Sequence, residues 1–179
     1  MSLRSENMQG IHRPMQRGPE RRLIDVTCAY LNDVEAFDAV VTEAINVLSV
    51  SDRPASAVVH LAGQPPTSMP ERANVEPLIR ELYSELSVPE MMPTSQRMHA
   101  ARWVAGSLVD GNIEDIDACN RMTRIANSDP KIFPYLATFV SLMSDFAESG
   151  PNDVELHTVA IAESRRIMEK FSNGENSVV

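Results

Sequence analysis

Residues 22–31 read RLIDVTCAYL, and whether they coil or extend decides the fold class. Ile24, Val26, Cys28 and Tyr30 alternate as along a half-buried strand, yet Leu23, Val26 (or Thr27) and Tyr30 also share one helix face. The same choice returns in PASAVVHLAG, residues 54–63, where Pro54 suits a first helical position and Gly63 a stop. Between the two lies a clear helix, NDVEAFDAVVTEAINVLSV, residues 32–50. Val34, Phe37, Val40, Val41, Ala44, Ile45 and Leu48 recur at helical spacing, with Asp38, Thr42, Glu43 and Asn46 on the other face. Asn32 with Glu35 reads as a capping box, which starts this helix near Asp33. Two short strands around it would form a βαβ-like unit. Nothing further along the chain resembles a strand, and a two-stranded sheet alone is poorly stable. We therefore read both segments as helical.

The rest of the chain follows in helical pieces. NVEPLIRELYSELS (74–87) places Pro77 in its first turn, where a missing N–H is tolerated. Thr94 or Ser95 caps QRMHAARWVAGSLVDG (96–111), and IEDIDACNRMTRIANS (113–128) comes next. Asp129 and Pro130 open KIFPYLATFVSLMSDFAES (131–149), whose start Pro134 should kink or delay by a turn. Asn152 with Glu155 supplies a capping box for VELHTVAIAESRRIMEKF (154–171). The proline-rich GQPPTSMPERA (63–73) is a loop, and short turns elsewhere make neighbouring helices antiparallel. The expected fold is thus all-α, a compact bundle of about seven antiparallel helices over residues 21–172. An α+β fold with a small N-terminal sheet is the alternative.

Composition narrows the function classes. The 179 residues carry a net charge of −9, and 43% are hydrophobic but only 5% aromatic, so the core is aliphatic. Residues 1–22 hold five arginines against Glu6 and Glu20, a net of +3 that leaves −12 for the remainder of the −9 total. We expect a mobile basic arm over residues 1–20 and a frayed end over 173–179. An acidic body argues against nucleic acid as a partner. No apolar run approaches the ~20 residues that span a bilayer, and the arginine-bearing start lacks an apolar signal core. Cys28 and Cys119 lie far apart, fit no zinc spacing, and read as two reduced core thiols of a cytoplasmic protein.

The best chemical motif is LVDGNIEDID, residues 108–117. As a calcium loop starting at Asp110 it fits at Asn112 and Glu114. It fails at the sixth position, where Asp115 replaces glycine, and at the twelfth, where Arg121 replaces a bidentate glutamate. As a turn it fits throughout. Gly111 follows a helix end, Asn112 caps the next helix, and Glu114, Asp115 and Asp117 occupy first turns favoured by the macrodipole. Asp117 stands four residues before Arg121, a favourable pairing order. We expect no metal and no cofactor.

No catalytic constellation emerges. His157 falls on an apolar face with Leu156, Ala160, Ile161 and Ser164, and reads as a core histidine. Two helical turns, ~10 Å, separate it from Ser164. Trp103 is more informative. Met98, Ala101, Val104, Ala105 and Leu108 form one stripe, and Trp103 points away from it beside His99 and Gly106. Either that helix is buried on two sides, or His99, Arg102, Trp103 and Gly106 form a recognition patch of the tryptophan-plus-arginine kind. The patch suggests a non-enzymatic protein-interaction or regulatory domain, in one version neutralising a basic partner, with self-association left open. The alternative is a small-molecule binder or enzyme with an inter-helix pocket using His99 or His157.

Overall fold

Both ambiguous segments are helical in the computed structural model, which describes residues 18–65 and 70–173. Among the described residues there are eight helices, one more than expected, and no strand, which removes the α+β alternative. In order they are α1 (Pro19–Leu31), α2 (Phe37–Val50), α3 (Ser56–Ala62), α4 (Arg72–Glu85), α5 (Pro93–Val109), α6 (Asp115–Ser128), α7 (Phe133–Ser149) and α8 (Val154–Asn173). The basic arm expected over residues 1–20 lies outside the described residues as far as Arg17, and α1 already begins at Pro19. The end expected to fray, like part of the proline-rich loop, also falls largely outside them.

The strand-like pattern of α1 has a simple cause. Leu23, Asp25, Val26, Thr27, Cys28 and Ala29 are all buried, because α1 packs on α2 and on α5 at once. A helix covered on two sides buries odd and even positions alike, so its apolar residues can also be read as alternating. The same holds for α5. Its residues 100–105, with Ser107 and Leu108, are buried between α1, α6 and α8. Consecutive helices pack within α1–α4 and within α5–α8, and the α1–α5 contact joins the two halves through one connected core. Largest among its fully buried side chains are Phe139, Leu23, Leu61, Ile79, Leu82 and Met122.

Three helices end alike. After α5, Gly111 N–H donates to Leu108 O (3.0 Å) and Asn112 N–H to Ser107 O (2.8 Å), with Gly111 at φ +71°. This paired closure satisfies carbonyls that a helix end otherwise leaves bare. The ends of α1 and α4 repeat it with Asp33 (φ +57°) and Ser87 (φ +55°) in the glycine-favouring position.

Helix starts depart further from the sequence reading. Asn32 and Glu35 form no capping box: Asn32 closes α1, its side chain donating to Cys28 O, and α2 starts only at Phe37. On α2, Glu43 is buried, where it pairs with Arg22, and Ile45 is exposed, the reverse of the expected faces. Pro93 rather than Thr94 or Ser95 opens α5, and Thr94 instead donates to Asp129 (2.6 Å). Pro77 sits inside α4, which begins two residues before the expected Asn74. Asn112 caps nothing with its side chain: α6 starts at Asp115 after Glu114. Pro134 does delay α7, to Phe133. The α8 cap shifts by one residue, from Asn152 to Asp153, whose Oδ1 accepts the N–H groups of Glu155 (2.9 Å) and Leu156 (3.1 Å).

Two carboxylates close helix ends across the fold. Glu85 of α4 accepts Ser56 Oγ (2.5 Å) and the Ala57 N–H (2.9 Å) at the start of α3. Those bonds, the hydroxyl first, hold its pKa below the usual carboxylate value. Asp129 is held down likewise by Thr94 and by the Lys131 N–H. A folded pKa below the unfolded one means stabilisation that is present at neutral pH and is lost as pH falls through the folded pKa. The melting temperature should therefore drop on acidification below the ordinary carboxylate range. In Glu85→Gln that acid drop should be shallower; an unchanged acid limb would contradict the assignment.

Candidate functional site

On α5, His99 and Arg102 stand three residues apart on one face and so reach the same neighbour. That neighbour is Asp25 of α1. Arg102 grips it with two bonds, Nε to Oδ2 (2.8 Å) and Nη2 to Oδ1 (2.5 Å), and donates Nη1 to Phe171 O on α8 (3.0 Å). Both partners are buried, with side-chain exposures of 6% and 8%. His99 Nδ1 lies 2.8 Å from Asp25 Oδ1 and 2.9 Å from Arg102 Nη2. As a proton donor Nδ1 bonds Asp25 Oδ1, and as an acceptor it bonds Arg102 Nη2, so the ring tautomer selects which partner His99 serves.

Trp103 is buried beside this pair. Its Nε1 donates to Glu35 Oε2 (2.8 Å), which also accepts from Arg121 Nη1 (2.7 Å). Arg121 binds Val34 O as well, and Asp117 by the expected four-residue step (2.8 Å). The loop between α1 and α2 is thereby fixed to α5 and α6. On another side of the indole, the Arg22 guanidinium lies 5.4 Å from the ring centroid. Arg22 Nη1 pairs with Asp110 (2.8 Å) and Nη2 with Glu43 (3.4 Å).

Between α1, α5 and α8 these groups border a cleft of about 350 Å³. Gly18, Arg21, Arg22 and Asp25 line it from the α1 side, Arg102, Trp103, Gly106, Ser107 and Asp110 from the α5 side, and Met168 from α8. Three of the four residues of the expected patch thus meet here. They do so as a wall, since Arg102 and Trp103 are engaged within the chain. His99 is not among the lining residues and neither is His157.

The other candidates fall elsewhere. His157 is not a core residue: its side chain is 54% exposed and pairs with Asp115 across the α6–α8 seam (2.9 Å). Helical spacing located its face on α8, but the neighbouring helices leave that part of the face open. Cys28 and Cys119 are free and buried, and burial pushes both thiols up to about 12. Cys28 Sγ lies 3.3 Å from the Tyr83 hydroxyl, which also contacts Thr27 Oγ1 (2.8 Å). Neither thiol can supply a thiolate at neutral pH. Among the described residues no cluster of histidine, cysteine and carboxylate side chains could hold a metal ion, and no helix is long and apolar enough to cross a membrane.

Sequence reasoning missed Asp25, Glu35, Arg22 and Asp110 as site residues. Asp25 carried a signal, an acid inside an otherwise buried run, which needs an internal cation. Glu35 did not, because a cap and a tertiary acceptor look identical in one dimension. Compared with protein-family models, with curated proteins and with solved structures, the chain matches none.

Proposed function

We propose that this chain is a non-enzymatic interaction module that receives a short segment of a protein partner in the cleft between α1, α5 and α8. The observation that carries this reading is the cleft itself, about 350 Å³ with Trp103 and Gly106 in its wall. That volume lies at the lower end of the range for built binding sites and fits a few side chains. Its charged groups support binding over chemistry. Both oxygens of Asp25 are bonded to Arg102, which leaves the carboxylate engaged within the chain.

Gly106 offers a clean test. A Cβ there would meet only Met168 Cε, at 3.9 Å, in ordinary contact, and Gly106 lines the cleft. Gly106→Leu should also gain helix propensity, somewhat less than the ~0.8–1 kcal/mol that separates Gly from Ala. We expect the variant to melt no lower than wild type and to lose, at least tenfold, a protein that wild type captures under identical conditions. Identical capture by a folded variant would sink the reading.

The Asp25–His99 contact favours a second reading, a small-molecule site using His99 Nε2. It predicts that His99→Gln abolishes ligand binding while Gly106→Leu does not.

A further inference from the structure

We infer that the segment received by the cleft presents an arginine, and that Arg22 of the chain itself holds that arginine's place until the partner arrives. This rests on the cleft reading above. The subsite is already furnished for a guanidinium. One indole face, Asp110 and Glu43 surround the Arg22 head group, with its centre 5.4 Å from the ring centroid and its two terminal nitrogens on different carboxylates. A planar fork spans that arrangement, whereas a lysine ammonium offers a point charge without the second arm or the stacking face.

The exchange is like for like. Arg22 is 45% exposed, so it can leave for water. A second guanidinium in its place keeps Asp110, Glu43 and the indole partnered. An anionic ligand that draws Arg22 or Arg102 from its carboxylate does the opposite, and strands Glu43, 8% exposed, or Asp25 as a buried charge.

The test uses the full chain, and Trp103, the only tryptophan, as reporter. A capped glycine/serine peptide with one central arginine, its lysine counterpart and free arginine are each titrated while emission is followed. Removing the internal competitor by Arg22→Ser should tighten the arginine peptide about tenfold if Arg22 occupies the subsite nine-tenths of the time. The lysine peptide should gain far less, and Asp110→Asn added to Arg22→Ser should remove the gain. Equal affinity for wild type and Arg22→Ser, an equal gain with lysine, or a gain that survives Asp110→Asn would each overturn the inference. So would free arginine binding as tightly as the peptide, which would assign the subsite to a small molecule. Should Arg22→Ser not fold, Arg22→Lys is titrated against the same outcomes. If the arginine peptide gains nothing while Gly106→Leu still loses its partner, the arginine assignment falls alone; if neither responds, the cleft reading falls too.

Discussion

Asp25→Ala should lower the unfolding free energy by about 3–5 kcal/mol, the loss that follows removal of one partner from a buried ion pair. The variant leaves Arg102 with its charge and only the Phe171 carbonyl and His99 for company, at 6% exposure. It also releases the polar link between α1 and α5, the joint between the two halves of the fold. Against a typical domain stability of about 5–15 kcal/mol the loss is severe. Urea denaturation followed by circular dichroism measures it. Replacing both partners, Asp25→Leu with Arg102→Met, should recover most of the loss, because the cost lies in the orphaned charge more than in the missing bond. A loss below about 1 kcal/mol for Asp25→Ala would mean that Arg102 finds water, and that the pair is not buried as described.

Trp103→Ala carries the second large effect, about 3–5 kcal/mol, as expected for emptying a core aromatic site. Trp103→Phe should cost less, since it keeps a ring beneath Arg22 and loses the Nε1 bond to Glu35. That bond matters because Glu35 also holds Arg121, so its removal loosens the α1–α2 loop from α6. A surface anchor behaves differently: truncating it leaves stability within about 0.5 kcal/mol and removes only binding. The size of the stability loss therefore separates the two sequence readings of this residue.

How much of this was legible beforehand depends on how many sides of each helix are covered. The all-α class was readable from the one-sided stripes of the later helices and from the breaks between them. Gly111 marked its turn, and Asp117 its pairing with Arg121, because both effects are local. The first helix was ambiguous because burial on two sides fills odd and even positions alike, so that a strand-like alternation fits beside the helical spacing. Glu43 and Ile45 exchanged environments, and the buried acid pairs with Arg22 from another helix, a partner that spacing along α2 does not name. His157 showed that spacing names a face without naming what covers it. The off-stripe position of Trp103 was the most useful signal for the site: a helix with a tryptophan on its second face is a central one. The partners Asp25, Glu35 and Asp110 come from other elements or from a helix end, and sequence distance concealed them.

The most direct measurement is acrylamide quenching of Trp103, the chain's single tryptophan, in the native protein and in urea. A residue that walls a cleft while engaged by Glu35 and Arg22 should be quenched far less in the native state than after unfolding, and Gly106→Leu should shield it further. Nearly equal quenching in the two states would place the indole in open solvent and contradict the account.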